Sequence, residues 1–281
     1  MKKILSFIIL FSTTLANAEF NNNAQKYITP IKLDTVEVKK ILDQASEKDP
    51  YILNMFSLNG TETKTSHVTF IPEKRIIEDT DIVLNESYNY TLRSGYQTTY
   101  VFGTQLTNCG AAYSRMSDIS FNKDGEIDSI VPSSIWNINP QKESTCRFKG
   151  AYKFDPKRFT ALRMDTKQVD NLFSEANKAQ MDVYSLKNTE KYKELVIRPR
   201  LDNFEKSTGR VNVYTYKLEN LGNKAPTYSL SAETLKCPSK ERLTTIIMFN
   251  KDGTFKKMMT AGPAALDYRH LEFCEKFKEF I

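Results

Sequence analysis

Hydrophobic residues follow the spacing of a helix face in two places along the chain. In the first place they are Val38, Ile41, Leu42 and Ala45, and in the second Val169, Leu172, Phe173 and Ala176. This i, i+3, i+4, i+7 spacing predicts one amphipathic helix in each place. Asp34 and Asp165 precede the two segments, with Glu37 and Gln168 three residues later, so both aspartates are predicted N-caps.

A second pattern, rich in β-branched and aromatic residues, follows each predicted helix and predicts strands. These strands cover residues 67–71, 87–92 and 98–106, and then 194–198, 210–218 and 227–232. The pentapeptide Phe-Asn-Lys-Asp-Gly at 121–125 returns at 249–253, and 249 − 121 gives an offset of 128 positions. Apolar residues alternate on both sides of it. It predicts a hairpin turn closed by a left-handed glycine.

A calcium-binding loop is the alternative interpretation of the pentapeptide, because Asn-x-Asp-Gly resembles part of one. With Gly125 at the sixth position of such a loop, the bidentate acid would fall at Val131, and in the second copy at Met259. Neither side chain can bind Ca²⁺. The turn is therefore favoured in both copies.

The four cysteines keep the same offset, since Cys109 corresponds to Cys237 and Cys146 to Cys274. Four cysteines allow three connectivities. The repeat favours Cys109 with Cys146 and Cys237 with Cys274, because each ancestral unit must once have closed its own bond. Clustered Cys and His at metal-ligand spacing do not occur, so no metal site is predicted.

These patterns together predict an α+β protein made by tandem duplication, with units at residues 19–148 and 149–281. Each unit is expected to place one amphipathic helix on an antiparallel sheet of about four or five strands, with one disulfide and its own core. In layout, duplicated disulfide-bonded α+β units resemble secreted β-lactamase inhibitory proteins, with which the chain shares no motif.

The N-terminus has the pattern of a secretory signal peptide over residues 1–18. Lys2 and Lys3 precede an apolar run of 12 residues, and the small residues Ala16 and Ala18 fit a cleavage site. A run of that length is too short to span a bilayer. The sequence therefore predicts export to the bacterial periplasm or beyond, without stable membrane insertion.

The charge balance does not favour a nucleic-acid partner. The chain has 40 basic and 34 acidic residues, and removing the two signal lysines leaves 38 − 34, or about +4. Basic and acidic residues are also interleaved, which is typical of solvated surfaces.

The sequence contains no recognisable catalytic motif. Only two histidines occur, His67 and His270, and neither has a histidine at the corresponding position of the other copy. Nucleophile elbows, zinc-protease motifs and glycine-rich phosphate loops are missing as well. A non-enzymatic protein without a cofactor is predicted, although carboxylates far apart in sequence could still form a glycosidase-like pair.

Aromatic residues are the remaining candidates for binding. Tyr88, Tyr90, Tyr96 and Tyr100 crowd one predicted β segment, and Trp136 is the single tryptophan. Exposed tyrosine and tryptophan favour a protein interface or sugar stacking, whereas alternating buried ones fill a core. The leading hypothesis is an exported inhibitor or immunity-type protein that neutralises a protein toxin or hydrolase. A binder or hydrolase of envelope glycans and a structural envelope component are the alternatives.

Overall fold

The computed structural model describes residues 29–47, 55–61, 65–70, 74–76, 83–95, 97–147, 159–179, 183–197, 204–220, 222 and 224–280. The predicted signal peptide lies outside these ranges. Within them the chain is mostly antiparallel β-sheet with few helices. None of the described helices is long and apolar enough to cross a membrane.

Helices and strands are numbered here in chain order. The helices are α1 (Thr35–Ser46), α2 (Ser144–Arg147), α3 (Thr166–Ala179) and α4 (Tyr268–Lys276), and a 3₁₀ turn follows at Lys278–Phe280. The strands of the first half are β1 (Ile31–Leu33), β2 (Met55–Thr61), β3 (Thr65–Phe70), β4 (Lys74–Ile76), β5 (Val83–Arg93), β6 (Thr99–Asn108), β7 (Tyr113–Phe121) and β8 (Ile127–Asn137). Those of the second half are β9 (Leu162–Met164), β10 (Val183–Asn188), β11 (Tyr192–Ile197), β12 (Phe204–Glu205), β13 (Arg210–Glu219), β14 (Thr227–Lys236), β15 (Glu241–Asn250) and β16 (Phe255–Ala265).

Each half contributes one seven-stranded sheet, and the strand order is the same in both. The first runs β2-β3-β5-β6-β7-β8 with β4 beside β5, and the second runs β10-β11-β13-β14-β15-β16 with β12 beside β13. Four or five strands were expected. Strands β4 and β12 were not predicted because they have only three and two residues. That is too few to show an alternation of apolar and polar side chains. Strand β2 contains Asn59-Gly60, a pair typical of turns.

A third, two-stranded sheet joins the halves. Strands β1 and β9 pair antiparallel, and Lys32 lies opposite Arg163, its counterpart in the repeat at an offset of 163 − 32 = 131. The ladder therefore has the symmetry of a two-fold axis through that pair. The Asp34 N–H donates to the Ala161 carbonyl at 2.6 Å, which ties the start of α1 to the other half.

Both predicted helices begin at the expected caps. The Glu37 N–H donates to Asp34 Oδ1 and the Gln168 N–H to Asp165 Oδ1, each at 3.0 Å. The predicted apolar stripe of α1 is buried, and α1 packs on β2 and β3 just as α3 packs on β10 and β11. The periodicity therefore located both helices and their inward faces.

The repeated pentapeptide forms the predicted turn in both halves. Gly125 and Gly253 have φ values of 79° and 81°, which glycine adopts at no steric cost. Their carbonyls accept the N–H groups of Leu33 and Met164 at 2.7 and 2.8 Å. Each turn thus docks the short strand that precedes the helix of its own half.

The expectation of two separate cores is wrong, because one continuous apolar cluster contains buried residues from both halves. Each helix covers one end of its sheet, and the strands at the other end pack on the opposite sheet, with β8 against β14 and β15. Phe159, from the second half, has its ring centroid 4.9 Å from that of Tyr88 and 6.0 Å from that of Phe102 in the first. The remaining apolar surface of each sheet is thereby removed from water.

The two disulfides join Cys109 to Cys146 and Cys237 to Cys274, each across 37 positions. The second bond lies in a smaller apolar cluster with Val213, Phe273 and Phe277. This cluster fixes α4 on the outer face of the second sheet, meaning the face turned away from the shared core. The position of α4 creates a groove on that face.

A groove on the outer face of the second sheet

A groove of about 460 Å³ lies on the outer face of the second sheet, with α4 as one wall. Its lining comes from β11, β13, β14, β15, β16 and the first turns of α4. We call it the second-sheet groove. Its lining residues are Glu194, Val196, Val213, Thr215, Lys217, Glu219, Ser229, Ser231, Glu233, Arg242, Ile246, Met248, Met259, Asp267, Arg269, His270 and Phe273.

The floor of the groove is concave because small hydroxyl side chains occupy its centre. Along β13 and β14 every second residue points outward, as the alternation of strand side chains requires. Thr215 therefore lies directly opposite Ser231, and Lys217 opposite Ser229. Larger apolar side chains, among them Met248 and Met259, stand on one side of these hydroxyls.

A charged network closes the end of the groove below α4. Glu233 on β14 accepts a hydrogen bond from Arg242 Nη1 at 2.6 Å and lies 2.9 Å from His270 Nε2. The side chain of Glu233 is 15% exposed and that of His270 is 8% exposed. Because α4 carries His270 and the sheet carries Glu233, the contact attaches the helix to the strands.

Both ring nitrogens of His270 have polar neighbours. The Asp267 N–H donates to His270 Nδ1 at 3.3 Å as part of the capping box of α4. Nδ1 also lies 3.0 Å from Asp267 Oδ1, and Nε2 lies 2.9 Å from Glu233 Oε2. Both nitrogens are engaged, and the ring anchors α4 instead of offering a free base.

Electrostatics favour the ionised form of Glu233. Burial by itself raises the pKa of this carboxyl, but hydrogen bonds and charge from His270 and Arg242 outweigh burial and hold the pKa below its ordinary value. Asp267 behaves similarly: burial opposes ionisation, and the Arg269 and His270 N–H groups together with the His270 and Arg269 charges lower its pKa. Both carboxylates are stabilised as anions and are poorly suited to donate a proton.

The other charges of the groove are also paired. Lys217 forms an ion pair with Glu219, and Lys187 Nζ lies 3.8 Å from Glu194 Oε1. Within the described ranges, no three side chains of the ligating types come close enough together to hold a metal ion. The arrangement provides hydrogen-bond donors, acceptors and apolar contact.

The first half has neutral residues at the positions that correspond to Glu233 and Arg242. Gln105 and Ser114 precede Glu233 and Arg242 by 128 positions, and Gln105 Nε2 donates to Ser114 Oγ at 2.9 Å. Position 142, which corresponds to His270, is a lysine. The Glu233–Arg242 ion pair of the second half therefore corresponds to an amide–hydroxyl hydrogen bond in the first.

The structure buries three of the tyrosines that were candidates for binding. Tyr88, Tyr90 and Tyr100 are 3, 0 and 8% exposed and belong to the shared core, so they are unavailable to a partner. Their period of two places them on the inward face of β5 and β6, which explains the burial. Trp136, on the edge strand β8, is 36% exposed. Tyr96 lies outside the described residues.

Helix α4 presents the binding candidates that were missed. Tyr268 is 79% exposed and Leu271 is 37% exposed, and Tyr268 lies between the lining residues Asp267 and Arg269. The sequence contained a signal for Tyr268. His270, Phe273 and Phe277 recur at helical spacing and define the buried face, and position 268 does not belong to that face. Glu233 and Arg242 had no such signal, since each sits in an ordinary alternating strand.

Comparison with known proteins gives no assignment. A scan against protein-family models, a search of curated proteins and a search of solved structures each find no match for this chain. Evidence on function therefore comes from the groove and from the exposed residues of α4 beside it.

Proposed function

We propose that this chain is an exported protein that binds another protein without catalysing a reaction, and that the partner is a toxin or hydrolase which it neutralises. The signal-like N-terminus supports export. Two disulfides suit an oxidising compartment such as the periplasm.

The exposure of the Tyr268 side chain is the observation that carries the proposal. An aromatic side chain that is 79% exposed on a helix leaves a large apolar surface in water. Leu271 lies one turn further along the same helix, and Arg269 lies 5.9 Å from the Tyr268 ring centroid. Tyrosine and arginine beside a concave surface are typical of residues that dominate protein interfaces.

We also propose that the fold arose by tandem duplication. Three observations support it: the two sheets have the same strand order, the two disulfides span equal lengths, and the β1–β9 ladder is symmetric about counterpart residues. Each half also has its own disulfide, which suits an inhibitor, because a surface that is already ordered loses little entropy on binding.

The glycan alternative has less support. The groove contains carboxylates, but Glu233 and Glu219 are paired with cations, and Phe273 is the one aromatic residue in the lining that the structure describes. A retaining or inverting hydrolase needs one carboxyl with a raised pKa as its acid. The lowered pKa of Glu233 is opposite to that requirement.

Affinity capture from cell-envelope extract tests the proposal. The oxidised chain is immobilised as wild type, as Tyr268→Ala with Leu271→Ala, and as Val36→Ala. Val36 is 78% exposed on α1 and serves as the matched control. We expect one protein to be retained by wild type and by the Val36 variant and to be lost from the double variant.

The captured protein is then purified and its activity assayed with and without the chain, with inhibition as the expected result. Equal retention by all three baits would contradict the role of Tyr268. Release of sugar from peptidoglycan by the purified chain would overturn the non-enzymatic proposal.

A further inference from the structure

We infer that the second-sheet groove holds a basic side chain, arginine or lysine, from a loop of the protein partner. The inference rests on the proposed function, because it assigns a place to one residue of that partner. It is carried by the hydroxyl acceptors on the floor of the groove, by the charge of the lining and by the apolar wall.

The floor of the groove offers unused acceptors. Among the described residues, no side-chain hydrogen bond involves the hydroxyls of Thr215, Ser229 or Ser231. Each hydroxyl oxygen has lone pairs that accept from an N–H donor. A guanidinium or ammonium group carries several N–H donors and no acceptor, so its requirements match this floor.

The charge of the groove also favours a cation. Its lining has four carboxylates, Glu194, Glu219, Glu233 and Asp267, against three permanent cations, Lys217, Arg242 and Arg269, so 4 − 3 leaves one net negative charge. The whole chain has a formal charge of +6. The lining itself is therefore acidic on a basic protein, and Lys187, the ion-pair partner of Glu194, stands outside that lining.

An incoming cation can exchange with the ion pairs at the open end of the groove. Lys187 and Glu194 are 45 and 20% exposed, and Lys217 and Glu219 are 30 and 28% exposed. Ion pairs with this degree of solvent contact are weak. Glu194 and Glu219 can therefore turn to a partner's charge at small cost, whereas Glu233 stays fixed by His270 and Arg242.

The apolar wall suits the aliphatic part of a basic side chain. Ile246 lies directly opposite Met259, and Met248 follows on the same face of β15. Lysine and arginine bury their methylene stems on apolar surface while the head group reaches polar contacts. Methionine side chains adapt to the shape of what they cover.

The described residues of the first half fill the place that corresponds to the centre of this groove, which provides an internal comparison. Positions 103 and 118, which correspond to Ser231 and Ile246, are Gly103 and Asp118. A Cβ atom at Gly103 would lie 2.7 Å from Asp118 Oδ1 and 2.6 Å from Asn89 Oδ1, so these side chains already fill the space. Helix α2 is also shorter than α4, with four residues against nine.

A titration with n-butylguanidinium tests the inference without the partner. The chain is labelled with ¹³C at its methionine methyl groups, eight in all, and the Met248 and Met259 signals are assigned by single Met→Leu substitutions. We expect those two signals to shift and saturate. With Glu194→Gln and Glu219→Gln together, the dissociation constant should rise by about tenfold or more, as expected for loss of charge-assisted hydrogen bonds.

Controls separate charge recognition from apolar contact. Asp128→Asn removes an exposed carboxylate in the first half and should leave the titration unchanged, and n-butanol and butyrate should shift the two signals weakly. Equal shifts with butanol or butyrate, or no saturable shift with butylguanidinium, would overturn the inference. If capture of the partner then still depends on Tyr268, the proposed function survives although this assignment fails.

Discussion

The Thr245 hydroxyl donates a hydrogen bond to Ser117 Oγ at 2.9 Å, and the two residues are 128 positions apart. Both are 0% exposed. They are thus counterpart positions that meet across the contact between the two sheets. A polar bond at this place ties the inward face of β7 to that of β15 within a largely apolar core.

Removal of one partner in this bond should destabilise the protein. Thr245→Val keeps the volume but leaves the Ser117 hydroxyl buried without a partner, which costs about 1–3 kcal/mol. Ser117→Ala should cost a comparable amount. The double substitution removes both polar groups and should cost less than the sum of the two single changes. Unfolding in guanidinium chloride measures all three, and strict additivity would show that the hydroxyls do not interact.

Phe159→Ala should weaken the first half although the residue belongs to the second. The ring lies among Phe70, Tyr88 and Phe102, so its loss opens a cavity in the shared core at a cost of about 3–5 kcal/mol. Trp136 is the single tryptophan and reports on the first half. Its fluorescence should follow one transition with a lowered midpoint. An unchanged Trp136 midpoint would mean that the halves unfold independently.

Gly253→Ala should be far more damaging than Gly222→Ala. Both glycines have positive φ, 81° and 57°, but a Cβ atom at position 253 would lie 2.1 Å from the Met164 carbonyl oxygen, whereas position 222 has no atom within 4 Å. Left-handed backbone alone costs an ordinary residue about 1–2 kcal/mol. Gly222→Ala should show that cost, and Gly253→Ala should exceed it. Thermal unfolding of the two variants measures the difference, and similar losses would contradict the docking of β9 on this turn.

The stability of the protein should fall in acid through Glu233. Its pKa is lowered in the folded state, so the carboxylate contributes stability above its unfolded pKa of about 4.3. That contribution disappears as the pH falls through the folded pKa. Wild type should lose stability below about pH 5, and Glu233→Gln should flatten part of that dependence.

Chemical unfolding at several pH values measures this effect. Glu205→Gln is the control, because Glu205 is an exposed carboxylate on β12. It should leave the acid dependence unchanged. Asp267 also has a lowered pKa, so some dependence should persist in the Glu233 variant. If the free energy of unfolding changes with pH equally in wild type and in Glu233→Gln, the network of Glu233 with His270 and Arg242 does not stabilise the fold.

Local patterns in the sequence determined helices α1 and α3, their caps, the central strands and the repeated turn. Each of these depends on residues close together in the chain, so spacing alone reveals it. The Val38 stripe required a helix with a period of 3.6, and the alternating tyrosines of β5 required a strand. The same tyrosines show the limit of such patterns, because alternation marks one face of a strand and does not tell whether that face is covered.

Tertiary structure alone decided where the halves meet and where the groove lies. The β1–β9 pairing and the Ser117–Thr245 bond join residues more than 100 positions apart, and Phe159 contacts Phe102, which is 159 − 102 = 57 positions away. No local spacing encodes these contacts. The groove exists because α4 is fixed over β14 by a disulfide and by the contact of His270 with Glu233. Its charged residues come from separate strands and one helix, and only folding brings them together, because their side-chain interactions act through space over a few ångströms.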